Sequence, residues 1–541
     1  MTSRQLARGV AGAAALIAVL TLLARLAGFG RTLVFTNTVG AGSTGDTYLA
    51  ANNVPNIVFE VVAGGALASL VVPMLAGGIA TGNRDQVRRT ASALLGWTLL
   101  VLAPLAVLVA VFAEPIARLL LGAGDEAEVA LAARFLLVFA PQVVLYGVGI
   151  VLTGVLQAHR RFAGPAIAPL LSSVVVAGAY LVFAGIGGSG DVADLSTPAE
   201  LVLGVGTTLG VVALSLSLLV PLRGLRLGLR PTLRFPVGAA PRVRRLALAG
   251  VLTLAGQQLV AAVAIRLAND GTPDGTQVVY AAGLTLFLVP WAALAVPLAT
   301  SAYPGLAERA EEGDEAGFRR ALAPVAVFTV ATAAVAAALL VAVSGPMARV
   351  FLARGSDDVV GALRDTIVAF APGLVGYALV ALLTRALYAR GLWKAPTVCV
   401  VGGWLLAVVA DVVLSAVLPP EDRGWALGAG HSLGVTVAGL GLLVVVARVA
   451  GGPALHGLPR TGVVALLAAG LGGAAGLAVS RALGSDPVPD GGVLAAIGAG
   501  ALAGGAVLLV AAAVMMGGAR GPLTAAFRAL RAPAGQEVHG G

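Results

Sequence analysis

The chain has 541 residues, 58% of them hydrophobic and only 11% charged, with a formal net charge of +9. A soluble domain of this size has no way to bury so much apolar surface, so composition excludes a soluble globular class and indicates an all-α polytopic membrane protein. The single cysteine, Cys399, excludes a disulfide framework and a cysteine metal site.

In chain order, the N-terminal MTSRQLARGV leads into an apolar run without a small-residue cleavage site, which reads as a retained first span. Segments of about twenty apolar residues cross the hydrocarbon core. They fall at 10–38, 47–77, 88–113, 128–158, 164–186, 199–221, 243–268, 276–302, 317–344, 359–390, 396–418, 424–449, 461–484 and 491–517, fourteen in all. Runs this long and uniformly apolar predict helices rather than barrel strands. Alternate loops carry the arginines: Arg84, Arg88 and Arg89; Arg160 and Arg161; seven from Arg223 to Arg245; Arg309, Arg319 and Arg320; Arg390 beside Lys394; Arg460. The intervening loops, such as GGSGDVADLSTPAE and NDGTPDGTQ, are acidic or neutral. The positive-inside rule then places the arginine-rich side, and both termini, in the cytoplasm of a multi-pass inner-membrane protein. The positive balance is a topology signal, and no nucleic-acid partner is implied.

The chain also contains a repeat. FAPQVVLYGVGIVLTGVLQAHRRFAGP from Phe139 and FAPGLVGYALVALLTRALYARGLWKAP from Phe370 align at an offset of 231 residues. The same offset pairs EPIARLLL with GPMARVFL, Pro73 with Pro304, and Arg88–Arg89 with Arg319–Arg320. Six helices per copy give two parallel six-helix bundles, the arrangement of transporters that open alternately to each side. The expected organisation is an N-terminal lobe over 1–222, a basic cytoplasmic linker over 223–245 and a C-terminal lobe over 246–450. Two Gly/Ala-rich packing helices over 451–518 and a cytoplasmic tail over 519–541 follow.

A charge at mid-bilayer costs roughly 2.5–3.5 kcal/mol, so such residues face a cavity or a partner. Span 1 holds Arg25 and Arg31. In span 2, Asp46, Asn53 and Glu60 recur every seven residues, with Asn56 one turn from Asn53, so they share one helical face. One reading makes these six residues a substrate-binding set in a water-filled cleft, with the arginines gripping an anionic headgroup. The other makes them structural ion pairs that fasten helix 1 to helix 2. Pro55 reads as a kink. Asp411, deep in WLLAVVADVVLSAVL, reads either as a cation or proton site or as an interhelical hydrogen-bonding group. Arg134, Arg266 and the Arg364–Asp365 pair lie near helix ends, where snorkelling is usual. EPIARLLLG and GPMARVFLARG read as interfacial helices on the outer side. The four histidines form no cluster, and the sole lysine follows Trp393, which excludes a Walker A motif. No catalytic residue, metal site or cofactor is expected, and the chain reads as a non-enzyme.

RLAGFGRTLVFTNTVGAGSTGDTYLAANNVPNIVFEVVAGGALASLVVPML carries R-x-x-G-F-x-R, then G-x-G-x-x-x-D-x-Y-x-x-A, then P-N, A-x-G-A-L and V-P. This stretch resembles the first two helices of the MurJ/MviN lipid II flippases, of the multidrug/oligosaccharidyl-lipid/polysaccharide exporter superfamily. RRFAGPAIAPLL and FAPGLVGYALVALLTRALYARG are similar to that family too. The resemblance implies fourteen helices in two lobes around a central cationic cavity. It also implies a flippase for the undecaprenyl-pyrophosphate-linked peptidoglycan precursor, with Arg25, Arg31 and Asp46 at cavity positions. Its implied partners are a lipid-linked anionic glycan, membrane lipid, and cell-wall synthesis or division proteins. Asn53, Phe59 and Glu60, and further on Ala282 and Gly283, depart from the basic or charged residues usual at those family positions. They imply a less positive cavity. Export of another polyprenyl-linked oligosaccharide or amphipathic compound, and a non-transporting scaffold for wall synthesis, are the other readings.

Overall fold

The computed structural model describes residues 3–61, 71–122, 124–234, 240–484 and 492–531. The chain divides into two compact units, Met1–Val278 and Val279–Gly541.

The first unit is built from α1 (Ser3–Thr38), α2 (Ser43–Phe59), α3 (Val71–Ala80), α4 (Arg84–Val111), α5 (Ala113–Leu121), α6 (Glu126–Ala158), α7 (Ala163–Gly185), α8 (Thr197–Leu216), α9 (Leu219–Arg223) and α10 (Ala240–Ala268). Residues 224–234 run without helix along α4, where the Thr232 amide donates to the Ser92 carbonyl at 3.1 Å and Trp97 Nε1 to the Leu233 carbonyl at 3.0 Å. Gly96 permits this crossing, since a Cβ there would fall 2.2 Å from the Thr232 carbonyl oxygen. The predicted linker therefore straps onto the unit, and α10 begins inside its predicted span. The core of the unit is aromatic: Phe35, Tyr48, Phe135, Phe139, Tyr180 and Phe183 are all buried. Tyr48 is fully enclosed, and its hydroxyl lies 2.8 Å from both the Tyr180 hydroxyl and Thr207 Oγ1. A phenol buried without such partners would cost about 1–3 kcal/mol.

α11 (Thr276–Pro290) starts at the end of the first unit and continues through a π-turn, Trp291–Ala295, into α12 (Val296–Glu311). The second unit adds α13 (Glu315–Ala342), α14 (Ser344–Phe351), α15 (Asp357–Phe370), α16 (Gly373–Ala389), α17 (Lys394–Val417), α18 (Arg423–Ala450), α19 (Leu458–Ala482), α20 (Val493–Gly518) and α21 (Arg520–Arg531). Glycine lets α17 and α18 approach closely: a Cβ on Gly434 would fall 2.5 Å from the Gly403 carbonyl oxygen. Lipid offers no hydrophobic drive for helix association, so such backbone contact supplies the packing energy. α19 and α20 pack on each other and on α13, with Gly476 admitting Ala342 and Val507.

Among the described residues, ten helices are long and apolar enough to cross a membrane, eleven when α15 and α16, bent by 45°, are counted together as one span. The other three predicted spans coincide with α1, with α2 and α3, and with α10. The A-x-G-A-L motif inside span 2 and the end of the tail lie outside the described residues. The 231-residue offset recurs in element boundaries: α4 with α13, α6 with α15–α16, and α7 with α17. Pro141 lies within continuous α6, whereas its counterpart Pro372 sits at the bend.

Candidate functional site

The polar stripe of α2 begins where α1 ends. Gly40 takes the left-handed conformation (φ +83°), and a Cβ on Gly42 would fall 2.5 Å from the Gly190 carbonyl oxygen. These two glycines of the G-x-G-x-x-x-D pattern thus reverse the chain tightly and deliver Asp46 to the first turn of α2. Asp46 is buried, and its carboxylate accepts from the amides of Gly275 at 2.7 Å and Val278 at 2.9 Å. These amides open α11, so Asp46 caps that helix from a distant part of the chain, where negative charge also complements the helix dipole. Gly275 is required too: its φ is +88°, and a Cβ there would fall 2.6 Å from the Ala41 carbonyl oxygen. The carboxylate is engaged by backbone amides, not by the span 1 arginines expected beside it.

Arg31 is half-buried, close enough to Tyr48, Tyr146 and Tyr180 for its charge to act on all three phenols. Arg25 is exposed. Six residues of continuous helix separate the two arginines, which sets them about 120° apart around α1, so one face does not hold both. Asn53 and Asn56 are half-buried on α2 and donate to the carbonyls four residues back, Leu49 at 2.8 Å and Asn52 at 2.9 Å. Half-buried Glu60 follows at the end of α2, beside Phe59, whose ring packs 4.8 Å from Tyr146. Pro55 lies within α2, and the chain passes into a π-turn at Glu60, so α-helical periodicity aligns Asp46, Asn53 and Asn56 up to that point.

Sequence reasoning missed the acidic neighbours of Asp46. Asp125 and Glu128 from the start of α6 and Asp274 from the turn before α11 line a polar cavity of about 200 Å³ with it, so three segments far apart in sequence supply the group. Among the described residues no group of His, Cys, Asp and Glu is arranged to hold a metal ion. The helix-end arginines are each paired with an acid: Arg134 grips Glu200 at 2.7 and 2.9 Å, Arg266 meets Asp270 at 2.9 Å, and Arg364 meets Asp365 at 2.6 Å.

In the second unit Asp411 is buried on α17, with Gly430 of α18 making room for it: a Cβ there would fall 2.0 Å from Asp411 Oδ1. Tyr280 lies within electrostatic reach of that carboxylate. One residue on, His431 is enclosed by Phe287, Phe370, Tyr377 and Trp404, with ring centroids 5.4–6.2 Å away. Among the described residues neither Asp411 oxygen and neither His431 nitrogen has a hydrogen-bond partner.

Long apolar helices in repeated order, with Asp46 and Asp411 buried among them, define a polytopic membrane protein of the transporter class. The family described as "Lipid II flippase MurJ" matches residues 35–480. Curated relatives include the lipid II flippase MurJ of Burkholderia cenocepacia, 25% identical over 78% of this chain and 81% of its own. The probable lipid II flippase MurJ of Rhizobium tropici is 27% identical over 75% of each chain. The chain belongs to the lipid II flippase MurJ family. Among solved structures, a lipid II flippase MurJ in an inward closed conformation aligns over 93% of this chain and 99% of its own, with a TM-score of 0.72. An inward-facing multidrug resistance MATE family transporter of the MOP superfamily aligns over 80% and 98%, with a TM-score of 0.66. At 17% and 14% identity these likenesses show the fold. The named relatives are flippases, and the chain is a MurJ-type transporter rather than an enzyme.

Proposed function

We propose that the protein carries the undecaprenyl-pyrophosphate-linked peptidoglycan precursor, lipid II, from the inner to the outer leaflet of the cytoplasmic membrane by alternating access. Both termini are cytoplasmic in this reading. Beyond family membership, one observation carries it: an apolar groove of about 930 Å³ in the second unit, walled by α13, α16, α18 and α19. Val330, Ala334, Leu379, Leu466 and Gly473 are among its lining residues, and Thr436 is the one hydroxyl there. Such a surface suits a long prenyl chain and offers nothing to a sugar. We assign recognition of the anionic headgroup to Arg31 and the polar residues of α2 in the first unit. Asp411 serves as the cation or proton site that couples transport to a gradient, since a carboxylate buried without a partner gains most from binding one.

Depletion in the host tests this reading. Precursor trapped in the inner leaflet, followed by lysis, is the expected result; normal wall synthesis would defeat it. Asn53, Phe59 and Glu60, where the family resemblance implies basic residues, favour a second reading, a different polyprenyl-linked oligosaccharide. Accumulation of that lipid with lipid II unaffected would select it.

A further inference from the structure

The two units treat one equivalent pair of turns differently. In the second unit Glu315 opens α13 and accepts two hydrogen bonds from Arg390, just after α16, at 2.7 and 2.8 Å. The Arg390 guanidinium also lies over the Phe318 ring, 5.0 Å from its centroid. In the first unit, 231 residues earlier, the turn before α4 has the same build. Gly82 and Gly313 take φ of +67° and +70°, and Asn83 and Asp314 cap α4 and α13 through side-chain oxygens. One of the two occupants is reversed in charge. Arg84 stands where the second unit has Glu315, and His159 where it has Arg390. A site that neutralises itself in one unit holds two bases in the other.

Arg84, His159 and Arg161 line a cavity of about 270 Å³ together with Gly224. Arg161 is already positioned: its Nη1 donates to the Pro221 carbonyl at 2.9 Å and lies over Gly224, where a Cβ would fall 2.6 Å from it. His159 Nδ1 is 2.8 Å from the Val155 carbonyl that accepts from it, which leaves Nε2 for a ligand. The neighbouring acid, Asp85, is committed to Arg88 at 3.0 Å.

We propose that this cavity binds the phosphate of an anionic membrane phospholipid, distinct from any transported lipid. Arginine forks match phosphate oxygens, and basic side chains at the membrane surface draw anionic headgroups. The rim selects a lipid over a soluble anion. A second, largely apolar cavity of about 250 Å³ shares Leu227 with the first and adds Leu219, Leu222 and Leu229. Phe162 and Val220, 39% and 68% exposed, extend the apolar surface. The residues bridged by the headgroup lie on the turn before α4, the turn after α6 and the strap, so the lipid braces all three.

The test uses full-length protein purified in detergent and titrated with phosphatidylglycerol or phosphatidylcholine, with bound lipid counted by native mass spectrometry. Wild type retains phosphatidylglycerol and releases phosphatidylcholine. R84E/H159R, which installs the pair already present in the second unit, lowers phosphatidylglycerol retention roughly ten-fold with an unchanged melting temperature. R161Q lowers it without introducing an acid. Wild-type retention in either variant, equal retention of phosphatidylcholine, or displacement by equimolar inorganic phosphate would each overturn the proposal.

Discussion

Asp46 and Val278, separated by 232 residues, meet through a 2.9 Å hydrogen bond in which the Val278 amide donates to the Asp46 carboxylate. A second bond, from Gly275, makes Asp46 the cap of α11. Asp46→Ala leaves two buried amides unpaired and lowers stability by about 1–3 kcal/mol. Thermal melting of the detergent-solubilised variant checks this, and a melting temperature equal to wild type would show that the cap contributes nothing.

Tyr48 ties α2 to α7 and α8 through the hydroxyls of Tyr180 and Thr207. Tyr48→Phe removes both bonds without changing the ring packing, at a cost of about 1–2 kcal/mol. A melting shift smaller than that of Asp46→Ala is expected.

The two arginines of α1 differ in exposure, so they differ in consequence. Arg31→Gln, beside three tyrosines, should reduce precursor delivery roughly ten-fold or more, and Arg25→Gln by much less. Complementation of a depleted host, with outer-leaflet precursor measured directly, reads the ratio. Equal effects would remove Arg31 from the headgroup site.

Asp411→Asn keeps the shape of a buried carboxylate that has no hydrogen-bond partner among the described residues, while removing its charge. Transport in vesicles should then lose its response to an imposed ion or proton gradient, while lipid retention persists. Gly430→Ala, which crowds the same oxygen, should act in the same direction. An undiminished gradient response in Asp411→Asn would reassign the residue to packing.

Gly470 lines the groove, and nothing lies within 4 Å of where its Cβ would be. Gly470→Phe therefore fills the groove without displacing backbone. Transport of the full-length prenyl substrate should fall while a short-prenyl analogue is spared; equal loss of both would point to a folding defect instead.

The spans and the repeat were legible because they rest on local quantities. Apolarity over a helix length and a constant 231-residue register are visible in one strand of text, and α4 with α13 and α6 with α15–α16 follow that register. The α2 stripe was legible for the same reason, since helical periodicity alone aligns Asp46, Asn53 and Asn56. Other features depended on residues far apart in sequence. Asp46 sat one helix from Arg31 and was expected beside it, yet Gly275 and Val278 hold it. His431 read as isolated until four aromatic rings from other helices closed around it.

By itself the sequence determined a membrane solvent, helices to suit it, a duplicated half and the polar stripe of α2, because hydrocarbon penalises every unsatisfied polar group in place. Tertiary structure alone decided which backbone amides take up the Asp46 charge, which glycines admit a neighbouring helix, and that Glu315 meets Arg390 where Arg84 and His159 await an anion. Those outcomes are set by contact geometry between distant segments, on which a local pattern of residue types places no constraint.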